Sequence, residues 1–441
     1  MTKKNNGTIN IKILSWRPDR ASAPVTRFLK RPAIDPEAEQ VARTVLGEIR
    51  AGGDAALVDC VRKYDGAQLT ARQLRVSAAE LGAARDAVDR EFKLAATEAC
   101  KRITKFAKAG LSSDWTMSSP KGGILGEQFV PYDRIGAYIP GGAAPLASTA
   151  LMTCTLARVA GVPEITACTP AGKGGAINPF LLYALELAGA TEIYKVGGIQ
   201  AIGAMAYGTK TVAAVQKIVG PGGPYVTAAK RLVYGDVALD SVAGPSEIAI
   251  LADDSASPVH VAADLLSQAE HGTGSEKTLL VTSSSRLAEK VKVELNRQAE
   301  TLTRSTAVRQ VLKKGTLIVV VETLDDGMEL INQFAPEHFE LLVHQPRSWL
   351  KKVRAAGAVF VGPWTPECAG DYVAGPSHVL PTGGAAAFFS GLTVDDFRRR
   401  TSVVSFTSAD LKEALPVIEA FGRVEGLDGH VRSARSRFEA I

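Results

Sequence analysis

Three segments decide the fold: EITACTP (164–170), EIYKVGG (192–198) and KIVGPGG (217–223). Each is a short apolar run closed by a Gly- or Pro-rich turn, and a helical pattern follows each one. A strand, a turn and a crossover helix together take about 30 residues, which is the spacing of these starts. Residues 138–247 therefore read as β-α units forming a parallel sheet with helices on its faces. The same rhythm returns in SEIAILAD (246–253), KTLLVTSS (277–284), TLIVVVET (316–323), HFELLVH (338–344) and GAVFVGP (357–363). This is a second α/β block, interrupted by a longer helical stretch over 286–313.

Outside these blocks the periodicity changes. EAEQVARTVLGEIRAGGDAALVDCVRKYDG (37–66) places apolar residues three and four apart, so 36–110 reads as helical, with Gly52-Gly53 closing one helix. Residues 1–34 look like an arm, and 395–441 a mostly helical, polar tail too short for its own core. Something else must hold that tail.

The chain has 441 residues, 46% hydrophobic and 22% charged, with a net charge of +5. That balance is ordinary for a globular protein and excludes disordered and collagen-like classes. No basic run with interleaved aromatics favours nucleic acid. MTKKNNGTIN lacks the apolar core of a signal peptide, and no window reaches the roughly 18 apolar residues of a membrane span. A soluble, cytoplasmic protein is expected. The five cysteines are scattered and form no C-x-x-C pair, so any metal would be held by histidine, carboxylate or carbonyl oxygen.

In LLSQAEHGTGSEK (265–277), helical spacing aligns Asp264, Gln268 and His271 on one face, and Gly272 and Gly274 end the helix with His271 in its last turn. An isolated Gln-x-x-His is most simply a histidine complementing the helix dipole; the sharper reading is half of a metal site. FAPEHFE (334–340) sets Glu337 beside His338. Pro336 should push Ala335 towards an extended shape and leave Glu337 in a turn while His338 starts a strand. Such a pair suits general-base chemistry. TPECAGDYVAGPSHVLPTGG (365–384) reads as a long irregular loop carrying Asp371 and His378. VEGLDGH places Glu425 and His430 on one helix. The Gly-rich turns at 138–148, 196–203 and 220–230 present backbone N–H groups as phosphate sites do, but none fits G-x-G-x-x-G. Spacing alone cannot bring these residues together.

GAYIPGG, GGIQAI, YGT, GPGGPYV, AGPSE, DLLSQAEHG, APEH, GDYVAGPSHVLPTGG and EGLDGH together resemble the histidinol dehydrogenase family, in order from about residue 36 to 437. The resemblance implies two Rossmann-like parallel-sheet domains with helical extensions in an intertwined homodimer. One domain, of 35–137 and 248–394, would carry zinc and the catalytic residues. The other, 138–247, would bind NAD, and the tail 395–441 would reach the partner subunit. It implies Zn²⁺ ligands Gln268, His271, Asp371 and His430, which also meet substrate, and a catalytic pair, Glu337 and His338. Ser246, His378 and Glu425 would contact substrate; Tyr138, Gln200 and the position of Gly223 belong to the NAD site.

The activity implied is oxidation of L-histidinol to L-histidine through the aldehyde. The chain departs from the family pattern at Gly223 (usually asparagine), Ser377, Ala387, Phe389, Leu156 and Phe339. A paralogue oxidising another small alcohol, such as a sulfonated diol, is the second reading. A zinc hydrolase would share the metal and the Glu-His pair but would not use NAD. A purely structural role leaves that pair unexplained.

Overall fold

The computed structural model describes residues 8–20, 22–31, 35–141, 145–241, 244–271 and 274–439. The segments at 164, 192 and 217 form strands of a five-stranded sheet. Its spatial order is Glu192–Lys195, Glu164–Thr169, Arg134–Tyr138, Lys217–Val219, Ala238–Leu239, and every pairing is parallel. Counted along the chain this is third, second, first, fourth, fifth, a doubly wound arrangement with its switch point between Arg134–Tyr138 and Lys217–Val219.

The second sheet repeats that order. Thr316–Val321, Lys277–Thr282, Glu247–Ala252, His338–Leu342 and Ala358–Val361 lie side by side. They are joined in parallel throughout. Glu247–Ala252 and His338–Leu342 are buried at every position, which explains why EIAILA and HFELL show little polar alternation: both faces of a parallel sheet are covered by helices.

Three extensions depart from the expected division. The arm contributes a sixth strand: Lys12–Trp16 pairs in parallel with Thr316–Val321 at the edge of the second sheet. The helices of 36–109 cover the first sheet, although the sequence division groups them with 248–394. Val45, Leu46 and Ile49 of Pro36–Cys60 pack with Ile202 and Met205, and Ile103 of Arg90–Ala109 joins Ile135 and Leu151. An amphipathic stripe states that a helix is covered on one side, not by which sheet. Finally, the tail opens as a strand. Arg398–Ser405 pairs antiparallel with Ile124–Pro131, which also pairs with Trp115–Ser118. The helices Ser408–Glu425 and Asp428–Arg435 follow, so the tail is mixed rather than uniformly helical. Asp410 ties it down, accepting from Ser119 Oγ at 2.6 Å and Lys121 N at 2.9 Å.

Pro36–Cys60 runs on past the Gly52-Gly53 pair, with Gly53 at φ 53° marking a kink rather than an end. Among the described residues no helix is long and apolar enough to cross a membrane.

At the switch point of the first sheet, Gly220 has φ 117°, and a Cβ there would run into the Tyr138 carbonyl oxygen. Gly220 N–H donates to Asp240 Oδ2 at 2.8 Å and its carbonyl accepts from Lys230 Nζ at 2.9 Å. Gly220→Ala should destabilise the protein by more than about 2 kcal/mol, since backbone strain and steric overlap coincide. Urea unfolding followed by circular dichroism measures it, and an unchanged midpoint would contradict the close approach.

Candidate active site

The Glu337-His338 pair sits where Leu324–Phe334 turns into His338–Leu342. Ala335 closes the helix in the left-handed region, at φ 45° and ψ 62°, not the extended shape expected before Pro336. Its N–H caps the helix on Ile331 O at 2.8 Å, and that cap, with both flanks buried, outweighs the preference of a residue preceding proline. The chain corner is strained by roughly 1–2 kcal/mol, a cost borne where geometry matters. It leaves Glu337 in the turn and His338 as the first strand residue, as expected.

Both side chains are buried. Glu337 Oε2 accepts the Glu247 N–H at 2.9 Å. His338 Nδ1 lies 2.8 Å from Gln268 Oε1. An amide oxygen only accepts, so Nδ1 carries the hydrogen and Nε2 keeps the ring's lone pair. Burial lowers the His338 pKa to about 4, with Asp371 raising it and His271 and His378 lowering it further. Burial also drives Glu337 well above the usual carboxylate range, reinforced by Asp371, Glu247 and Glu367. At neutral pH the imidazole is therefore uncharged.

Gln268 comes from the helix Pro258–Ala269, whose buried face holds Leu265, Leu266 and Gln268. His271 lies just past the helix end, not in its last turn. Its Nδ1 is 3.3 Å from Gln268 Nε2. The third residue of the predicted polar edge, Asp264, lies instead against the Glu340 carboxyl. Asp371 is not in an irregular loop: Glu367–Tyr372 is a short helix. A stretch rich in Gly and Pro further along hid that turn.

The helix explains a residue that sequence reading missed. Glu367 and Asp371 are four apart, so both project from one helical face. Glu367 lies inside the quoted TPECAGD segment, and read as a helix that segment would have exposed the pair. Ligand atoms of His271, Glu367 and Asp371 all lie within 4.8 Å of one another. Glu367 Oε2 accepts from Ser267 Oγ at 2.8 Å, Oε1 is buried without a hydrogen-bond partner among the described residues, and His338 Nδ1 is 3.7 Å from Oε1. Burial first and Asp371 second raise the Glu367 pKa to about 8. Two carboxyls face to face away from water resist double ionisation unless a cation joins them.

His378 links this cluster to the other sheet. Its Nδ1 is 3.7 Å from Asp371 Oδ1, and its Nε2 is 2.9 Å from Thr149 Oγ1, in the first turn of Ala147–Ala160. The cleft thus lies between the amino edge of the second sheet and the carboxyl edge of the first. Ser246 directly precedes Glu247 at that amino edge. Beneath it, the buried Glu247 carboxylate pairs with Arg31 Nη1 at 2.6 Å, and burial lifts its pKa to about 7.

Glu425 and His430 are not brought to this cleft within the chain. Both are exposed, and no described hydrogen bond or ion pair joins either side chain to the cluster. Nor do they share a helix: Gly426, left-handed at φ 68°, ends Ser408–Glu425. The remaining predicted residues gather at the carboxyl edge of the first sheet. Tyr138 Oη accepts the Gly198 N–H at 3.2 Å and Gln200 Nε2 donates to Asp65 at 3.0 Å. Both are buried, whereas Gly223, the cap of Pro224–Leu232, is exposed.

A carboxyl whose native pKa lies above its unfolded value stabilises the fold below the unfolded pKa and loses that contribution as pH rises through the native one. For Glu367 the window runs from 4.5 to about 8. Chelated protein should accordingly lose stability between these pH values, and Glu367→Gln should flatten the loss. Unfolding midpoints across that range measure it; parallel curves for the two proteins would contradict the assignment.

Residues 29–438 match the family model of histidinol dehydrogenase. Histidinol dehydrogenase of Heliobacterium mobile is 43% identical over 420 residues, covering 95% of this chain and 98% of that protein. That of Moorella thermoacetica is 45% identical over 397 residues, covering 90% and 93%. A crystal structure of histidinol dehydrogenase from Elizabethkingia anophelis superposes with a TM-score of 0.91 at 36% identity, covering 98% of each chain. The chain belongs to the histidinol dehydrogenase family, the oxidoreductases that carry out the last step of histidine biosynthesis.

Proposed function

We propose that this protein oxidises L-histidinol to L-histidine in a zinc-containing, NAD-dependent reaction at the Glu337-His338 cleft. The observation that carries the reading is the His338 ring, whose Nδ1 meets Gln268 Oε1 at 2.8 Å so that Nε2 keeps its lone pair in an uncharged ring.

The donor set fits a divalent zinc ion. His271, Asp371 and Gln268 offer one imidazole nitrogen, one carboxylate oxygen and one amide oxygen, ligand types that Zn²⁺ accepts. Among the described residues Glu367 Oε1 has no hydrogen-bond partner and lies close to Asp371, an arrangement that suits a site built around positive charge. Zinc held there would anchor the polar groups of the amino alcohol and polarise its hydroxyl. NAD, placed along Tyr138, Gln200 and the Gly223 turn, would take up a hydride in each of the two oxidations.

The chain's own groups do the proton work. His338 Nε2 takes the hydroxyl proton as the carbinol carbon loses hydride, leaving an aldehyde. Glu337 then takes a proton from water as its oxygen adds to that aldehyde, and the resulting hydrate loses a second hydride and proton to give the carboxylate. His378, bridging Asp371 and Thr149, and Ser246 orient the substrate. Burial keeps the aldehyde from bulk water.

The tail supports a homodimer. Val417, Phe421 and Val424 are exposed at helical spacing on Ser408–Glu425, and Leu427 and Phe438 extend the apolar surface. A second copy of this chain covering that stripe would bring Glu425 and His430 to its partner's cleft, supplying the fourth ligand.

Purified protein with zinc and NAD should form two NADH per histidinol consumed, and turnover of a sulfonated diol without turnover of histidinol would overturn the reading. His338→Asn should lower alcohol oxidation by about 10²–10⁴ with zinc content retained; equal loss of both would remove His338 as base. Glu337→Gln should spare aldehyde formation and impair the second oxidation, measured by supplying histidinal directly. An undiminished histidine yield would exclude that division.

A further inference from the structure

The first sheet lacks an acidic residue at the place where a doubly wound dinucleotide-binding sheet carries one. In that fold the carboxylate beyond the second strand accepts from the adenosine ribose 2′-hydroxyl and discriminates against a 2′-phosphate. Here the second strand, Glu164–Thr169, runs into Pro170, Ala171 and Gly172. A carboxylate nevertheless occupies the position, delivered from a different segment. Asp65 ends the π-helical turn Val61–Asp65, and Gly66 behind it is left-handed. Its Oδ2 accepts the Gly197 N–H at 2.8 Å and its Oδ1 accepts from Gln200 Nε2 at 3.0 Å. A Cβ added to Gly197 would lie 2.6 Å from Pro170 Cβ and 2.8 Å from Asp65 Oδ1. The ends of the second and third strands and the Asp65 carboxylate therefore meet at one point.

We propose that Asp65 determines cofactor choice, accepting a hydrogen bond from the adenosine ribose of NAD and repelling the 2′-phosphate of NADP. The proposal rests on the reading that the first sheet, in the predicted division 138–247, holds the dinucleotide. Three further observations support it. Each Asp65 oxygen takes one donor and retains a lone pair for another. Thr169 Oγ1, at the end of the second strand, is buried without a hydrogen-bond partner among the described residues, so that strand end has polar capacity to spare. The exposed Lys173 sends its stem towards Gly66, so with the carboxylate removed a cation remains for a 2′-phosphate. Burial holds the Asp65 pKa up at about 6 against the pull of its two donors, and a ribose hydroxyl would favour the charged form.

The test is equilibrium binding to the full chain, by isothermal titration with ADP-ribose and 2′-phospho-ADP-ribose. Wild type should bind the phosphorylated probe at least about tenfold more weakly, the scale of a like-charge contact. Asp65→Asn should erase that gap, Asp65→Glu should preserve it, and Lys173→Ala added to Asp65→Asn should weaken the phosphorylated probe again. Equal binding of both probes to wild type overturns the proposal without any variant having to fold, as does an undiminished gap in Asp65→Asn. If NAD is reduced but the probes are not discriminated, only the role of Asp65 fails. If neither probe binds and NAD is not reduced, the dinucleotide reading fails, and this inference with it.

Discussion

Buried carboxyl groups, with too little positive charge among the described residues to hold them all ionised, govern this molecule. Glu247, Glu337 and Glu367 are buried at the amino edge of the second sheet and Glu340 within the strand His338–Leu342, with Asp264 and Asp371 beside them. Arg31 answers Glu247, and backbone N–H groups answer part of Glu337 and Glu340. What remains, chiefly Glu367 with Asp371, is the residue of a balance that a divalent cation would complete. Isolated carboxylates are not kept from water without compensation, so the helix ends, the strained Ala335 corner and the short helix 367–372 can be understood as parts that hold this cluster in register.

The architecture places the cluster unusually for a doubly wound sheet. Ligands of such sheets lie beyond the carboxyl ends of the strands, and Tyr138, Gln200 and Gly220 lie at that edge of the first sheet. The second sheet contributes its amino edge instead. The two meet through His378, which touches Asp371 on one side and Thr149 on the other. The Glu337-His338 pair of one sheet and the Tyr138-Gln200 edge of the other thereby lie on either side of a junction between two sheets of the same winding order.

Both sheets were legible in the sequence because most of their strands are short apolar runs at β-α spacing, closed by Gly or Pro in the first sheet, a signal that needs no partner to be read. The roles of Gln268, His271, Asp371 and the Glu-His pair came from the family resemblance, and the structure draws these residues together. Glu367 was overlooked because its neighbours argued for irregular chain, and one turn of helix leaves almost no periodic trace. Asp65 was invisible for another reason: it lies more than a hundred residues from Gly197 and Gln200, and amphipathic spacing does not say which sheet a helix covers. The same limit misassigned the helices of 36–109. The tail strand 398–405, rich in arginine, lacks the apolar alternation that marks a strand, because its pairing with 124–131 leaves most of it exposed.

The Arg31 contact couples the two ends of the polypeptide in time as well as in space. Its guanidinium, joined to Glu247 and stacked 4.1 Å over the Phe334 ring, leaves the ribosome long before any of those partners exists. Until the second sheet closes, that cation has nothing to neutralise and the acidic edge has no lid. Such sequence separation delays loop closure, so a growing chain holds every strand of the first sheet by residue 239 and every strand of the second only by residue 361.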